Sequence, residues 1–225
     1  MMIFVSGYQR SGTTLLRRLL CGYPKTHVLH ETRLIRGAKS KQQLLMRFKS
    51  HKIEKHDNFG EKLPYASAAG SDAVGDITRW IKFFGNKGRI LHIVRHPVAV
   101  AISNCKRWPK KGTHVPLKNY TVGVPRVIDL VNKHPNLCMN VIYEELVTEP
   151  DRVLAEILNF CNLKCNKSLI EKMKNAPLRY FPNINGDRAY AYKEEVKDFP
   201  ITEKHISYKE VLERIKNGQS SGNGV

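Results

Sequence analysis

The first twenty residues contain a strand, a loop and a helix pattern that constrain the fold more than any other stretch. The apolar run at residues 3–5 predicts a buried strand, and the apolar spacing of residues 15–20 predicts a helix. Between them, Gly7 and Gly12 bracket a short polar loop. A loop of this kind directs backbone N–H groups and the positive end of a helix dipole at an anion. The N-terminus therefore predicts an anion-binding loop.

The cation of this loop differs from that of a nucleotide P-loop. The spacing from Gly7 to Gly12 matches the P-loop motif, which continues with Lys and then Ser or Thr. Here Thr13 and Thr14 follow, and the nearest cation is Arg10, inside the loop. The loop therefore favours an anionic group of another shape, held by a guanidinium.

Strand and helix patterns alternate along the rest of the chain. Strands are predicted at 26–30, 58–64 (a short strand and a turn), 89–95 and 137–143. Helices are predicted at 39–49, 71–84, 97–107, 125–133 and 150–160. This alternation predicts an α/β fold, a three-layer P-loop-type sandwich with a central, mainly parallel sheet of about five strands flanked by helices.

The candidate functional residues follow several of these strands. Ligands of such sheets bind at the carboxyl ends of the strands, where we expect Arg10, Glu31, Lys62 and Arg95 to lie. Residues 1–216 are interpreted as a single domain. The Gly/Ser-rich residues 217–225 predict a disordered tail.

The charge of the chain favours anionic partners. Thirty-eight Lys and Arg against 20 Asp and Glu give a formal net charge of +18. No acidic residue precedes Glu31, and none occurs at 78–127. These stretches contain the anion-binding loop and Arg95. A solvated basic surface that maintains solubility is the alternative explanation of the excess charge.

Cysteine spacing and hydropathy point to a soluble protein of a reducing compartment. The five cysteines are odd in number and contain no Cys-x-x-Cys, so neither a disulfide framework nor a metal site is indicated. No segment has the length of a membrane span, and no signal peptide is evident. We expect a cytoplasmic protein. A catalytic domain trimmed from a membrane-anchored parent would have the same N-terminus, and the oligomeric state stays open.

The loop Gly7-Tyr8-Gln9-Arg10-Ser11-Gly12-Thr13-Thr14-Leu15-Leu16 resembles the 5′-phosphosulfate loop of sulfotransferases that use 3′-phosphoadenosine 5′-phosphosulfate (PAPS). The resemblance implies that PAPS is the sulfuryl donor and that the loop binds its 5′ end. The residues implied are Arg10, Ser11, Gly12, Thr13 and Thr14.

Two further segments resemble nucleotide-binding parts of the same family. Arg95, seven residues and Ser103 resemble its 3′-phosphate site, and Arg107 lies one helical turn beyond Ser103. Tyr143, in Tyr-Glu-Glu-Leu followed by Pro150, resembles a segment whose Tyr lies near the nucleotide. Without the resemblance, Arg95 is a charged strand terminus and Ser103 a small packing residue.

The segment Glu31-Thr32-Arg33 is similar to a Glu-Thr-Arg segment of tyrosylprotein sulfotransferases. This resemblance implies that Glu31 is the catalytic base and that Arg33 anchors an acidic substrate. Lys62 resembles the family's charge-stabilising lysine and completes a catalytic set with Glu31 and Arg10. His30 is the rival base, because other sulfotransferases use histidine. The resemblance fades after Asn166, where Lys193 is a weak candidate for a lysine that closes over the donor.

These patterns support a PAPS-dependent sulfotransferase that acts on a hydroxyl acceptor without a metal. The acceptor stays open between an acidic tyrosine peptide and an anionic glycan, and no specific nucleic-acid partner is expected. A P-loop kinase or NTPase is the second hypothesis, weakened by Thr13 at the position of the lysine. A non-catalytic basic module that binds nucleic acid is the third; it explains the charge but not the buried strands that lead into Arg10 and Arg95.

Overall fold

Five strands form the centre of the structure, a computed structural model that describes residues 1–53, 55–66, 70–109, 114–175, 193 and 207–220. The strands are β1 (Met2–Tyr8), β2 (Thr26–His30), β3 (Asn58–Tyr65), β4 (Gly88–Val94) and β5 (Cys138–Ile142). They lie in the order β2-β3-β1-β4-β5, and every neighbouring pair is parallel. The predicted central parallel sheet is confirmed.

Helices cover the sheet. In the described part of the chain they are α1 (Thr13–Gly22), α2 (Lys41–Ser50), α3 (Ser71–Phe84), α4 (Pro97–Arg107), α5 (His114–Asn132), α6 (Tyr143–Thr148), α7 (Pro150–Phe160), α8 (Lys167–Lys174) and α9 (Tyr208–Ser220). A 3₁₀ turn, Gly85–Lys87, precedes β4.

The sheet separates two apolar cores, because successive residues of a strand point to opposite faces. In β1, Phe4 packs into one core, where its ring stacks on Trp80 of α3 with 5.1 Å between centroids. Ile3 and Val5 pack into the other core with Leu16 of α1. The result is the predicted α/β sandwich of three layers.

The carboxyl ends of β1 and β4 lie where the order of the strands reverses direction across the sheet. After β1 the chain runs outward to β2 and returns through β3, and it then crosses β1 to form β4 and β5. The tips of β1 and β4 therefore form the topological switch point of the sheet, which is where α/β proteins bind ligands.

Strand β3 is longer than the predicted strand and turn. It continues through Pro64 to Tyr65, so Lys62 lies inside the strand rather than at its end. The carbonyl of Lys62 accepts a hydrogen bond from Glu31, just beyond β2, and the carbonyl of Tyr65 accepts one from Gln9, just beyond β1. Alternate residues of β3 thus face β2 and β1. Pro64 faces the side on which β2 has already ended, so its missing N–H removes no ladder hydrogen bond.

Two helices also extend beyond their predictions. Helix α5 begins at His114 and contains Pro125 in its interior, although the sequence suggested that the helix begins there. Helix α9 continues to Ser220 and so includes four residues of the predicted tail. Residues 221–225 lie outside the described residues. The division into one domain and a tail stays a prediction.

Candidate active site

The loop after β1 has a backbone that only a few residue types adopt easily. Arg10 has φ 70° and Gly12 has φ 99°, both in the left-handed region. A Cβ atom at Gly12 would lie 2.4 Å from Cδ2 of Tyr143, so glycine also allows the ring of Tyr143 to pack against the loop. Among the described residues, no side-chain hydrogen bond caps α1, whose first turn carries no acidic residue. The helix therefore begins with N–H groups that can receive an anion.

A group that we call the arginine cluster lies at the tips of β1 and β4 and contains Arg10, Arg95, Arg107 and Ser103. Arg10 Nε donates to Ser103 Oγ at 3.0 Å, and Arg95 Nη1 donates to the carbonyl of Arg10 at 3.2 Å. The guanidinium of Arg95 also lies 4.2 Å from the ring centroid of Tyr143, a cation–π contact. The fold therefore joins the loop after β1 to the Arg95–Ser103 pair.

The arginine cluster concentrates positive charge. Partial burial lowers the pKa of Arg10, and the charges of Arg95 and Arg107 lower it further. Within the described residues, none of the three arginines forms an ion pair with a carboxylate. Two buried polar atoms, Arg95 Nε and Ser11 Oγ, also have no hydrogen-bond partner there. Such an arrangement suits a phosphate or sulfate group, which supplies both acceptors and negative charge.

A second group, which we call the lysine cluster, contains Lys62, Glu31, His30 and Thr14. Lys62 is fully buried, and its ammonium donates to Glu31 Oε1 at 2.5 Å and to Thr14 Oγ1 at 3.3 Å. His30 Nε2 lies 3.3 Å from the same nitrogen. Because Thr14 is the second residue of α1, this hydrogen bond links the lysine cluster to the loop that carries Arg10.

Proton affinities in the lysine cluster follow from these contacts. Partial desolvation opposes ionisation of Glu31, but the hydrogen bond and charge of Lys62 outweigh it, and the pKa of Glu31 is lowered. The charge of Arg33 acts in the same direction, as does that of His30 when its ring is protonated. Burial and the charge of Lys62 lower the pKa of His30, so this ring is neutral at pH 7. Burial also lowers the pKa of Lys62, although Glu31 opposes the change.

The surroundings of Glu31 contain an acid that the sequence interpretation missed. No acidic residue precedes Glu31 in the chain, but the fully buried carboxylate of Glu61 accepts from the backbone N–H of Leu34 at 3.0 Å and of Ile35 at 2.7 Å. It also accepts from Thr32 Oγ1 at 3.1 Å. A signal was present, because an acidic residue within an apolar strand is rarely buried without partners.

Three other residues that sequence reasoning missed hold the backbone at Arg95 and His96 in place. The buried carboxylate of Glu144 accepts a hydrogen bond from the N–H of His96 at 3.0 Å and another from the Tyr208 hydroxyl. The hydroxyl of Tyr120 donates to the carbonyl of Arg95 at 2.5 Å. Tyr208 belongs to α9, and its ring centroid lies 4.7 Å from that of His96, so α9 contacts the turn after β4. No local motif indicated these contacts.

The remaining predicted residues have different positions. Thr13 is buried at the start of α1, and Arg33 is exposed just beyond Glu31. Arg107, at the end of α4, acts on Arg10 through its charge. Lys193 is exposed, and the residues on either side of it in the sequence are not described.

Two properties of the described residues concern metals and membranes. They contain no group of three or more His, Cys, Asp or Glu side chains that could hold a metal ion. None of their helices is long and apolar enough to cross a bilayer.

Comparison with known proteins identifies the family. The sequence model of the sulfotransferase domain family matches residues 2–218. No curated protein sequence matches the chain significantly.

Solved structures of sulfotransferases share the fold at low sequence identity. The sulfotransferase domain from the curacin biosynthetic pathway superposes with a TM-score of 0.69 at 15% identity, over 97% of this chain and 96% of that one. The sulfotransferase domain of the Synechococcus PCC 7002 olefin synthase gives 0.67 at 16% identity, over 100% and 95%. A mouse sulfotransferase complexed with PAP gives 0.51 at 15% identity, over 92% and 70%.

Proposed function

This chain belongs to the sulfotransferase domain family, and on that basis we propose that it transfers the sulfuryl group of PAPS to a hydroxyl acceptor. The observation that carries the proposal is the junction of two cationic groups at the switch point of the sheet. Arg10 contacts Ser103 directly, and the lysine cluster is linked to the same loop through Thr14. A kinase or a non-catalytic nucleic-acid-binding module does not account for the family match.

The arginine cluster suits the phosphate groups of the donor. The N–H groups of residues 11–14 and the guanidinium of Arg10 would bind the 5′ end, and Arg95, Ser103 and Arg107 would bind the 3′-phosphate. Support comes from the unpaired buried atoms Arg95 Nε and Ser11 Oγ and from the mouse sulfotransferase, whose structure contains PAP. A phosphate would also neutralise the mutual repulsion that lowers the pKa of Arg10.

The lysine cluster suits the transfer step. PAPS supplies an activated sulfuryl group, so that a bond forms between sulfur and the acceptor oxygen as the bond to the phosphate oxygen breaks. Lys62 would stabilise the charge that develops on that phosphate oxygen, and Arg10 would assist at the donor side. Positioning and charge stabilisation supply most of the rate enhancement in the analogous phosphoryl transfer.

Glu31 is our assignment for the base that accepts the hydroxyl proton of the acceptor. Its carboxylate is 45% exposed and ionised, and it lies beside the lysine that faces the donor loop. The Lys62 contact weakens Glu31 as a base, because it lowers the pKa of the carboxyl. His30 is the alternative base, since its ring is neutral and also contacts Lys62.

An anionic acceptor fits the charge around Glu31. Arg33 is exposed next to the proposed base, and the chain carries a formal charge of +18. An acidic tyrosine peptide and an anionic glycan both offer a hydroxyl next to negative charge.

Transfer from radiolabelled PAPS to a panel of acidic tyrosine peptides, sulfated or carboxylated glycans and simple phenols tests the proposal. We expect label in an anionic acceptor. We also expect PAP to raise the melting temperature more than ATP with magnesium does, because ligands that bind only the native state stabilise it. Label in no acceptor, together with stabilisation by ATP alone, would contradict the proposal.

A further inference from the structure

The segment that carries Glu31 adopts a backbone that its residues do not favour. Glu31 has φ 55° and Arg33 has φ 57°, so two non-glycine residues within three positions are left-handed. Such residues persist only where the surrounding structure fixes them, and they concentrate at functional sites. Two side chains outside the proposed catalytic residues fix this turn.

The first side chain is Glu61, which fixes the N–H side of the turn. Its two carboxylate oxygens accept from the backbone of Leu34 and Ile35 and from the hydroxyl of Thr32. Burial raises the pKa of Glu61, and the hydrogen bonds from Ile35, Leu34 and Thr32 oppose that rise. All three partners donate, which matches a carboxylate that only accepts. A buried charge is costly to place, so these contacts have to compensate for it.

The second side chain is Arg47 of α2, which fixes the carbonyl side. Its Nη1 donates to the carbonyl of Leu34 at 2.8 Å and to that of Arg36 at 3.1 Å, and its Nη2 donates to that of Gly37 at 3.4 Å. The planar guanidinium can reach several acceptors in a fixed geometry, which an ammonium cannot. The segment from residue 32 to residue 37 is therefore held from both sides by opposite charges.

We propose that Glu61 and Arg47 are positioning residues that hold Glu31 against Lys62, an inference that rests on the proposed function. Glu61 precedes Lys62 in β3, and the N–H of Glu31 donates to the carbonyl of Lys62 at 2.9 Å. Strand β3 thus supplies both Lys62 and, one residue earlier, the Glu61 carboxylate that holds the turn containing Glu31. The alternative is that Glu61 and Arg47 contribute only to stability.

The substitution Glu61→Gln separates the two possibilities. The amide retains the size of the side chain but presents one N–H₂ group to backbone N–H donors, so the turn loses a partner. A displacement of about 1 Å can cost on the order of 10²-fold in rate, and we expect a loss of kcat of that order. Affinity for PAP should be unchanged, because the arginine cluster does not contact Glu61. Arg47→Lys should lower kcat in the same way but by less.

Leu158→Ala is the matched control for lost stability. Leu158 is fully buried in α7, within the core on the other face of the sheet, and its truncation leaves a cavity. The two variants are compared at temperatures equally far below their melting temperatures. If Glu61 only stabilises the fold, Glu61→Gln and Leu158→Ala should then have equal kcat per PAP-binding molecule. That result would overturn the proposal.

Hydrogen exchange resolved by residue tests the turn without turnover. The amides of Leu34 and Ile35 should exchange much faster in Glu61→Gln, while the amides of β4 should keep their protection. Unchanged exchange at Leu34 and Ile35 would refute the role of Glu61 even in an active enzyme. If the wild-type protein transfers no sulfuryl group but exchange is fast in the variant, the proposed function is refuted. The conclusion that Glu61 holds the turn then still stands.

Discussion

The arginine cluster and the lysine cluster lie on the same sheet and share a loop, yet their charges are arranged in opposite ways. In the arginine cluster, Arg10, Arg95 and Arg107 repel one another, and no carboxylate pairs with them among the described residues. In the lysine cluster, Lys62 and Glu31 neutralise each other at 2.5 Å. The positive charge of the arginine cluster is left for an external anion to neutralise, whereas the charges of the lysine cluster neutralise each other.

This difference separates binding from rate. An unpaired cationic group gains most when an anion arrives, so the arginine cluster should determine nucleotide affinity. An internally paired group gains little in the ground state, and its contribution should appear as charge moves during transfer. Substitutions in the two clusters should therefore change different kinetic quantities.

The largest expected effect comes from Glu31→Gln, which tests the lysine cluster at its base. General base catalysis contributes about 10²–10⁴-fold, and we expect kcat to fall by that factor while PAP affinity is unchanged. His30→Gln is the matched variant and should retain most of the activity. The reverse pattern, in which His30→Gln is inactive and Glu31→Gln is not, would assign the base to His30.

Lys62→Met is expected to lower kcat by about 10²–10³-fold, the usual cost of removing one donor that stabilises transition-state charge. Methionine fills the buried space without charge, so the protein should remain folded. Isothermal titration with PAP and single-turnover transfer measure the two quantities separately. Lys82→Met, at an exposed position of α3, is the control. A loss of PAP affinity as large as the loss of rate would remove the distinction between the clusters.

Arg95→Ala is the corresponding test of the arginine cluster. Hydrogen bonds to charged groups contribute about 1.5–3 kcal/mol, so PAP should bind roughly 10- to 100-fold more weakly. Adenosine 5′-phosphate lacks the 3′-phosphate and should lose much less. Lys118→Ala removes one charge from an exposed position of α5 and controls for net charge. Equal losses for the two nucleotides would show that Arg95 does not read the 3′-phosphate.

The smallest expected effect is on the pH dependence of kcat. Lowering the pH inactivates a base by protonating it, and a lowered pKa moves this loss to more acidic solution. Because the pKa of Glu31 is lowered from its usual 4.5, kcat at saturating substrates should be flat near neutrality and fall only below pH 4.5. Rates measured across that range test the assignment. An acid limb between about pH 5 and 7 would indicate a histidine base.

Local patterns were enough to predict the architecture, and together with the family resemblance they selected most residues of both clusters. Buried strands and glycine loops depend on neighbouring residues, which is why β1, β4 and the loop containing Arg10 could be placed from the sequence. Individual hydrogen bonds between residues far apart in the chain could not be predicted from the sequence. The direct hydrogen bond from Arg10 to Ser103 joins residues 93 positions apart, and the contacts of Glu61 with the turn span 26 to 29 positions.

Prolines account for the main errors in the fold. Pro64 suggested a turn and Pro125 suggested the start of a helix, but the structure places both inside regular elements. At Pro64 the reason is the early end of β2, which the strand pattern of β3 cannot reveal. A proline fixes its own φ and lacks an N–H, and whether the missing N–H matters depends on the neighbour on that side.

The burial of Lys62 has a consequence for the order of events at the sheet. An ammonium has three N–H groups, and three polar atoms, on Thr14, His30 and Glu31, already lie within 3.3 Å of its nitrogen. Any further acceptor that binds this nitrogen must displace one of its present partners. Lys62 is therefore occupied in the resting protein, and under the proposed function one of these three contacts has to break during transfer, after the nucleotide has bound.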